Sequence, residues 1–388
     1  MKIKPSERIG KLPPYLFADL DRQRSEVLAA GVDVIDLGVG DPDLPTPEPI
    51  VEELCRAAHD KSTHRYPSYR GMMSLREAAA AYLRRRFDLE LDPATQICAL
   101  VGSKEGIFHL PIGLLDQGDA ALVPDPAYPV YRAATLLAGG RPLSMPLLRE
   151  NGFKPDLAAI DSGSLDRCKL MFLNYPNNPT GATVDLEFYA DAARFAGEHS
   201  IAVAADAAYV EMGFDGYRPP SFLQAAGALD VGIEFHSLSK PFSMTGWRIG
   251  FAAGNPELIA ALAAVKTNAD SGAFNAVQYA AICALQSDFS WVEQHNAVYA
   301  ARRNLVLAGL REIGLWSLEP QATFYVWFSC PEAVGSAEFA SRLLRETGVL
   351  VTPGVGFGAA GEGYCRIALT VGEERLSEAM ERLGKFKL

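Results

Sequence analysis

Residues 232–250 read GIEFHSLSKPFSMTGWRIG, and this stretch decides the fold. The apolar run from Gly232 to Ser237 predicts a buried strand, and Lys240 and Arg248 follow shortly after it. In an open α/β sheet, ligands bind beyond the carboxyl ends of the strands. A lysine at such a place can form an imine with an aldehyde, and hydroxyls and a guanidinium nearby can hold a phosphate. An isolated lysine is usually a surface residue, so neighbouring strand ends must support this interpretation.

Short apolar runs of the same kind recur in the middle of the chain. They cover residues 97–101, 120–124, 170–174 and 201–206. Helix-like segments separate several of them. In one of these segments, residues 186–199, apolar side chains recur at helical spacing and Asp185 can cap the first turn. Strands that alternate with helices predict a largely parallel α/β sheet.

The last hundred residues have a different pattern. Before a final helix, helical stretches and apolar runs alternate at 291–313, 323–328, 336–347 and 364–370. This order predicts a smaller α+β domain. Because 388 residues exceed one core of typical size, we expect a large domain at 46–287 and a small domain formed by 1–45 and 288–388.

Composition and charge argue against several classes of function. The formal net charge of -11 and the pI near 5.2 oppose a nucleic-acid partner, because such binding depends on Lys and Arg releasing counterions. No run of 18 apolar residues could span a bilayer, and the first residues lack the apolar stretch of a secretory signal. We therefore expect a cytoplasmic protein without a membrane segment. The six histidines show no paired ligand spacing, so no metal site is expected.

Polar motifs follow two of the predicted strands. Asn174-Tyr-Pro-Asn-Asn178-Pro-Thr-Gly181 follows one strand, and Asp206-Ala-Ala-Tyr209 follows the next. A buried carboxylate is costly unless it is paired, and Asp206 opposite a pyridinium nitrogen would be paired. Taken singly, Asp206 could instead cap a helix.

A glycine segment, Gly102-Ser-Lys-Glu-Gly106, lies between a predicted strand and an apolar helix-like run. Backbone N–H groups and the helix dipole can bind phosphate in that arrangement, although an ordinary turn has the same pattern. The convergence of this segment with the other motifs on one edge of the sheet favours a ligand site there.

Together these segments resemble the fold-type I pyridoxal-phosphate enzymes, and among them the class I and II aminotransferases. The resemblance covers nearly the whole chain and rests on the spacing of Asn-Pro-Thr-Gly, Asp-x-x-Tyr and Ser-x-Ser-Lys with the later arginine. It implies a mostly parallel seven-stranded sheet between helices, and pyridoxal 5'-phosphate as the cofactor. It also implies that Lys240 holds the cofactor and carries protons, that Asp206 binds its pyridine nitrogen, and that Asn178 and Tyr209 bind its phenolic oxygen.

The same resemblance implies a set of phosphate contacts. Ser103 and Lys104 at a helix start would hold the phosphate together with Ser237 and Arg248. Tyr66, in Arg-Tyr-Pro-Ser-Tyr-Arg-Gly, would reach in from a partner subunit. The expected assembly is therefore a homodimer whose active sites are shared between subunits.

Two further residues match family positions. Tyr128, in Asp-Pro-Ala-Tyr-Pro-Val-Tyr, resembles the aromatic residue that stacks on the cofactor ring; without the resemblance it would be read as a core tyrosine. Arg366, in Tyr-Cys-Arg-Ile-Ala-Leu-Thr, resembles the arginine that grips the substrate's α-carboxylate. A planar guanidinium binds a carboxylate through two parallel hydrogen bonds, and an arginine within an apolar strand needs such a partner.

Four segments narrow the range of possible substrates. They are Tyr15-Leu-Phe, Asp36-Leu-Gly-Val-Gly-Asp-Pro-Asp, Met145-Pro-Leu-Leu-Arg-Glu-Asn-Gly-Phe and residues 232–240. They resemble the LL-diaminopimelate aminotransferases, which interconvert LL-2,6-diaminopimelate plus 2-oxoglutarate with tetrahydrodipicolinate plus glutamate by a ping-pong mechanism in lysine biosynthesis. Tyr15, Gly40 and Asn178 are then expected to line the substrate site, although a packing tyrosine at Tyr15 and an ordinary turn at Gly38-Val-Gly40 remain open.

Other assignments remain open or are set aside. Pro241-Phe-Ser departs from the more polar pair expected after the lysine. An aminotransferase for alanine, aspartate, aromatic or N-succinyl-diaminopimelate substrates therefore stays open, and so does a cofactor-dependent C–S lyase. The Ser-x-x-Lys pattern lacks the accompanying motifs of serine acyl-transfer enzymes. Gly354-Val-Gly-Phe-Gly-Ala359 is too near the C-terminus for a dinucleotide site, and a glycine-rich turn near Arg366 is expected there.

Overall fold

The computed structural model describes residues 3–12, 16–331 and 334–386, without the side chains of 16–20. The helices in these ranges are α1 (Glu7–Gly10), α2 (Leu16–Ala29), α3 (Glu48–His59), α4 (Met73–Phe87), α5 (Ser103–Leu114), α6 (Val130–Leu137), α7 (Leu186–Glu198), α8 (Ala228–Val231), α9 (Pro256–Ala269), α10 (Asn275–Gln286), α11 (Ser290–Glu312), α12 (Ser336–Thr347) and α13 (Glu373–Lys385). None of these described helices is both long and apolar enough to cross a membrane. The strands are β1 (Ile35–Asp36), β2 (Ile97–Leu100), β3 (Ala120–Asp125), β4 (Arg141–Pro146), β5 (Cys168–Asn174), β6 (Ala202–Asp206), β7 (Gly232–Ser237), β8 (Gly250–Gly254), β9 (Tyr325–Ser329), β10 (Val349–Leu350), β11 (Thr352–Pro353) and β12 (Tyr364–Ala368).

A seven-stranded sheet forms the centre of the fold. Its order is β2-β8-β7-β6-β5-β3-β4. Only β8 runs against its neighbours β2 and β7, and the remaining adjacent pairs are parallel. The mostly parallel seven-stranded sheet predicted from the sequence is therefore confirmed.

Two strands of this sheet have no counterpart among the apolar runs recognised in the sequence. Strand β4 reads RPLSMP and lies at the edge of the sheet, where proline is tolerated because one side needs no hydrogen bonds. Strand β8 reads GFAAG, and its two glycines and small alanines hide it from a search for apolar, β-branched runs. Both depend on neighbouring strands rather than on local preference.

Helices cover both faces of the sheet, because successive strand residues point to opposite sides. In β5, Met171 belongs to a buried cluster shared with α4, α7 and α10. Its neighbour Phe172 belongs to a second cluster shared with α5, α6 and α9. The sheet is thus buried on both sides, as is usual for parallel sheets.

Local sequence sets where two of these helices begin. Helix α7 starts as predicted, since the Asp185 side chain accepts a hydrogen bond from the Phe188 N–H at 2.9 Å. Helix α5 starts after Gly102, whose φ of +79° suits glycine. This turn brings the first N–H groups of α5 to the carboxyl edge of the sheet.

The remaining elements form a smaller unit. Strands β11, β12 and β9 make an antiparallel sheet, and β1 pairs with β10 through Ile35 and Val349. Helix α11 joins the two parts: Val292 near its start packs in the large cluster, and Val306 packs in the cluster of the smaller unit. The α+β character expected for this region is present, whereas the predicted domain boundaries stay a prediction.

Candidate active site

Three strands of the large sheet end at the same edge and bring the predicted residues together. Asn174 at the end of β5 lies opposite Asp206 at the end of β6, and Asp206 lies opposite Phe235 of β7. The Asn174 side-chain amide donates to the Asp206 carbonyl at 2.8 Å. The loop that carries Lys240 follows β7, so parallel strand ends place this lysine beside Asp206.

Asp206 is a buried carboxylate with a hydroxyl partner. The Tyr131 hydroxyl donates to its Oδ2 at 2.7 Å, and the Ala208 N–H makes a longer contact of 3.3 Å with Oδ1. Burial raises the pKa of Asp206 to about 6, although the bond from Tyr131 acts in the opposite direction. None of the ion pairs found among the described residues includes Asp206, so a cationic ligand group could pair with it.

Lys240 is largely buried and bonds to the backbone. Its Nζ donates to the Gly40 carbonyl at 3.0 Å and lies 5.5 Å from the centre of the Phe324 ring. Burial lowers the pKa of this ammonium group. A lysine with a lowered pKa supplies more neutral amine at neutral pH, as a nucleophile or general base requires.

Gly40 has no space for a side chain. A Cβ at this position would lie 1.9 Å from the Tyr325 hydroxyl oxygen. The close approach allows the Gly40 carbonyl to reach Lys240 while Tyr325 packs behind it. The glycine predicted from the sequence for the substrate site is therefore adjacent to the lysine.

Arg366 lies on β12 with 2% of its surface exposed. Its guanidinium donates to the Asn178 side-chain oxygen at 2.7 Å and to the Gly38 carbonyl at 2.6 Å, and it stacks 4.1 Å from the Tyr325 ring centre. Burial lowers the pKa of Arg366. All of these partners are neutral groups.

A buried guanidinium without a counter-ion is costly. Among the described residues, no carboxylate forms an ion pair with Arg366, and its Nε has no hydrogen-bond partner. An incoming carboxylate would supply both the charge and the missing acceptor. This orphaned donor is the feature of the site that most directly points to a carboxylate ligand.

The opposite side of the site is built for an anion. Gly102 leaves space for Arg248, because a Cβ at Gly102 would lie only 2.3 Å from Arg248 Nη2. The guanidinium therefore lies at the N-terminus of α5, whose first residue Ser103 is buried. Ser237 ends β7 nearby, since Gly250, its cross-strand partner, approaches the Ser103 N–H. Free helix N–H groups, an arginine and hydroxyls fit the phosphate of pyridoxal phosphate.

Lys104 and Tyr128 lie beside this anion site. Lys104 is exposed in the first turn of α5, with its Nζ 5.7 Å from the centre of the Tyr128 ring. Tyr128 packs edge to face on Tyr131, with ring centres 5.9 Å apart. The structure thus brings both predicted residues to the edge that carries Asp206.

Tyr209 is also at this edge, in a hydrogen bond that the sequence did not predict. Its hydroxyl lies 3.1 Å from the Tyr325 hydroxyl. Burial, followed by the neighbouring Tyr325, raises the pKa of Tyr209 well above its usual range. The phenol therefore stays protonated and can donate a hydrogen bond to an oxygen anion.

One predicted residue is not brought to the site within its own chain. Tyr66 is 89% exposed, so its side chain has little contact with its own chain. Tyr15 lies outside the described residues. Neither position tests the role predicted for it.

Sequence reasoning missed Tyr131 and Tyr325. Tyr131 belongs to the quoted Asp-Pro-Ala-Tyr-Pro-Val-Tyr motif, and its position three residues after Tyr128 was the available signal. Tyr325 begins an apolar strand, YVWFS, in which a tyrosine gives no signal of its own. Both contact residues distant in the chain.

One cluster outside the site has the composition of a metal site. Ligand atoms of Glu105, His109 and Asp270 lie within 4.8 Å of one another. The Lys266 ammonium, however, donates to Asp270 at 2.9 Å and to Glu105 at 3.2 Å, and so already supplies the positive charge. The cluster is an ionic network between α5 and α9.

A cleft of about 730 Å³ lies away from these residues, between the loop at 210–219, the end of α4 and α11. None of the predicted site residues lines it. The chemistry of the side chains, and not the size of the cavity, identifies the site here.

Comparison with known proteins agrees with this geometry. The family model for aminotransferase class I and II matches residues 32–383. The LL-diaminopimelate aminotransferase of Syntrophobacter fumaroxidans is 54% identical over 386 residues, with 100% of both chains covered. That of Aquifex aeolicus is 52% identical, with 99% of both chains covered.

Solved structures share the fold. BacF from Bacillus subtilis has a TM-score of 0.96 at 41% identity, with 100% of this chain and 99% of that chain covered. A Thermus thermophilus aspartate aminotransferase has a TM-score of 0.92 at 33% identity, with 99% and 100% covered. The fold-type I prediction is confirmed, and so is pyridoxal phosphate, the cofactor of this family. The chain belongs to the class I and II aminotransferases.

Proposed function

We propose that the protein is an LL-diaminopimelate aminotransferase. It would interconvert LL-2,6-diaminopimelate plus 2-oxoglutarate with tetrahydrodipicolinate plus glutamate, a step of lysine biosynthesis. This substrate assignment rests on one observation: relatives that are about half identical over their full length are all named LL-diaminopimelate aminotransferase. A cytoplasmic location fits such a biosynthetic role and stays a prediction.

Lys240 is proposed as the catalytic residue. When bound, pyridoxal phosphate supplies an electron-poor ring that accepts the electron pair left on the substrate's Cα. The Nζ of Lys240, with its pKa lowered by burial, removes the proton from Cα of the amino donor and, in the second half of the cycle, supplies a proton to Cα of the amino acid formed from the 2-oxo acid. The hydrogen bond to the Gly40 carbonyl holds the amine at the side of the site that faces Arg366 and Tyr325.

Arg366 and Asn178 are proposed to hold the α-carboxylate that the two substrates have in common. The guanidinium is held by bonds to Asn178 and Gly38, so it is oriented before a substrate arrives. Its lack of a carboxylate partner within the described residues makes substrate binding favourable, because binding supplies the missing charge. Gly40 and Tyr15 are proposed to line the rest of the substrate site.

The cofactor contacts are proposed as predicted. Ser103, Lys104, Ser237 and Arg248 would hold the phosphate at the start of α5, where the backbone N–H groups are free. Tyr128 would stack on the ring.

Three further residues would fix the ring. Asp206 would pair with the ring nitrogen, and Tyr209 with Asn178 would donate to the phenolic oxygen. Each contact uses a group that the fold has already desolvated.

The protein is proposed to work as a homodimer. Tyr66 is 89% exposed and is expected to complete the phosphate site of a partner subunit. Tyr69 and Phe274 are also large, exposed apolar side chains, and Asn275 next to Phe274 donates to the Arg65 carbonyl, so this surface is continuous with Tyr66. Association would bury these groups. Sedimentation of the purified protein gives the oligomeric state directly.

The test of function is glutamate formation from LL-diaminopimelate and 2-oxoglutarate. The wild-type protein should use this donor far better than alanine, aspartate, an aromatic amino acid or N-succinyl-diaminopimelate. A Lys240→Ala variant should form no glutamate. Lys154→Ala, a change at a lysine that lies near Phe188 and outside the site, should keep the wild-type rate.

The outcomes separate the substrate from the family. If another donor gives the higher kcat/KM, the diaminopimelate assignment is wrong and the aminotransferase chemistry stands. If pyruvate and ammonia appear from a sulfur amino acid instead of glutamate, the reaction is that of a C–S lyase. Retention of activity by Lys240→Ala would remove the lysine from the mechanism.

A further inference from the structure

The two oxygens of the Asp206 carboxylate have unequal partners. Oδ2 accepts a short hydrogen bond of 2.7 Å from the Tyr131 hydroxyl. Oδ1 has only the 3.3 Å contact with the Ala208 N–H among the described bonds. One oxygen is therefore satisfied by the protein, and the other keeps most of its capacity to accept.

Tyr131 is held so that its hydroxyl has little freedom. It lies in the first turn of α6 with 0% of its surface exposed. Its ring stacks on Phe172 of β5 at 5.0 Å between centres and 20° between planes, and Tyr128 packs against its edge. A buried phenol needs a hydrogen-bond partner, and Asp206 is the acceptor that this ring position allows.

We propose that Tyr131 is a positioning residue: its hydroxyl holds Asp206 ionised through Oδ2 and leaves Oδ1 to accept a hydrogen bond from the ring nitrogen of the cofactor. This inference rests on the proposed function, because it needs Asp206 to face that nitrogen. It adds a residue that neither the motifs nor the family assignment supplied.

The Tyr131 hydroxyl matters because it influences where one proton lies, on Asp206 or on the ring nitrogen. Asp206 and the ring nitrogen share a proton, which is on the nitrogen only if the carboxylate is the weaker base. A hydrogen bond to the ionised carboxylate favours that form, and a charge-assisted bond in a dry site is stronger than one in water. Loss of the Tyr131 hydroxyl should therefore move the proton from the ring nitrogen toward Asp206.

Other charged and titratable groups face Asp206 from the surrounding elements. Lys240 and His236 act on it through space as positive groups, and Tyr209 lies in the loop that follows β6. His236 itself lies 2.7 Å from the Glu234 carboxylate on the same strand. None of these groups forms a hydrogen bond to the carboxylate among the described contacts, so Tyr131 has the most direct effect on it.

The test compares Tyr131→Phe with Tyr189→Phe in the holoenzyme. Phenylalanine keeps the ring on Phe172 and removes only the hydroxyl. Tyr189 is a matched control, because it is equally buried and its hydroxyl bonds to the Tyr175 carbonyl at 3.3 Å in another part of the large domain.

Two measurements report the proton. With cofactor labelled with ¹⁵N in the ring, Tyr131→Phe should move the nitrogen resonance from the protonated toward the unprotonated position. In the apoprotein, the carboxyl of Asp206, followed by infrared difference titration against Asp206→Asn, should titrate at higher pH than in the wild type. We also expect kcat of Tyr131→Phe to fall by about tenfold with little change in KM. Tyr189→Phe should match the wild type in the nitrogen resonance, the Asp206 titration and the kinetics.

An unchanged nitrogen resonance and an unchanged Asp206 titration in Tyr131→Phe would overturn the inference, whatever the rate. If that variant does not fold, 3-fluorotyrosine introduced at position 131 gives the opposite change: a more acidic phenol should lower the pH at which Asp206 titrates. No shift in that protein would also overturn it.

Failure of the proposed function looks different from failure of this inference. A wild-type protein that binds the cofactor but prefers another amino donor leaves the proton measurements intact. A wild-type ring nitrogen that is unprotonated would show that Asp206 does not perform the proposed role, and the inference on Tyr131 would fall with it.

Discussion

Lys266 and Lys240 are both largely shielded from solvent, and they differ in what surrounds them. Lys266, on α9, is 1% exposed and donates to both carboxylate oxygens of Asp270, at 2.9 and 3.0 Å, and to Glu105 at 3.2 Å. Lys240 donates to the neutral Gly40 carbonyl and forms no ion pair among the described residues. Burial alone therefore does not identify a functional lysine, whereas burial without a counter-ion does.

The same contrast holds for two buried arginines. Arg302 on α11 makes a two-pronged ion pair with Asp43, at 2.7 and 2.8 Å, while Arg366 contacts neutral groups. Lys240 and Arg366, which lack an ionic partner, lie at the carboxyl edge of the large sheet or face it. Lys266 and Arg302, which have one, lie elsewhere and join elements of the fold.

The two lysines should respond in opposite ways to replacement. In the apoprotein, Lys266→Met should lower the free energy of unfolding by about 3 kcal/mol, because it leaves the partly buried carboxylates of Asp270 and Glu105 without their cation. Lys240→Met should leave it unchanged or higher, since a methionine removes an unpaired buried charge. Urea unfolding of both variants measures this, and a loss in Lys240→Met as large as that in Lys266→Met would show that Lys240 is structural.

Replacing each of the two arginines should separate an effect on substrate binding from an effect on stability. Arg366→Ala should raise KM for the amino donor by about a hundredfold or more, because it removes a charge-assisted bond pair to the carboxylate. Arg302→Ala should lower stability and leave KM for the donor within about twofold. Steady-state kinetics with both substrates measures this, with Arg366→Lys as a test of geometry: lysine keeps the charge and loses the two-pronged contact. An unaltered KM in Arg366→Ala would place the carboxylate elsewhere.

The sequence predicted those parts of the site that come from short motifs. Lys240, Asp206 and Asn178 follow strands whose apolar runs are visible, and the rule that parallel strand ends meet at one edge brought them together. Arg366 was predicted from the family resemblance, and its place within an apolar run supported that prediction. In these cases the local sequence and the tertiary position give the same answer.

The parts of the site and fold that the sequence did not predict depend on contacts between distant segments. Tyr325 reaches Gly40 and Tyr209 from the smaller unit, and no spacing in the sequence connects these three. The antiparallel strand β8 and the proline-containing edge strand β4 are likewise set by their neighbours in the sheet. Tertiary context rather than local preference therefore decides these elements.

Two aspartates give the smallest effect, and opposite dependences on pH. Burial raises the pKa of Asp206 to about 6, whereas hydrogen bonds from Lys169 and Arg167 hold the pKa of Asp119 well below its usual range. Between pH 3.8 and about 6 the folded apoprotein keeps a proton on Asp206 that the unfolded chain has lost, so this residue makes stability fall as the pH rises through that window. Asp119 contributes stability above pH 3.8, and that contribution is lost as the pH falls through its folded pKa.

Asp206→Asn should therefore make the apoprotein more stable than the wild type at pH 7, by about 2 to 3 kcal/mol, with the difference disappearing near pH 4. Asp119→Asn should make it less stable by a nearly constant amount from pH 7.5 down to about pH 4, because the contribution of Asp119 is lost only below pH 3.8. Unfolding followed from pH 3.5 to pH 7.5 measures both. If Asp206→Asn destabilises at pH 7 as Asp119→Asn does, the carboxylate has a counter-ion in the folded chain, and the contrast between paired and unpaired buried ions does not extend to the aspartates. If the signs differ, Asp206 is held in the fold at a cost to stability, as expected for a group kept ready for a cationic ligand.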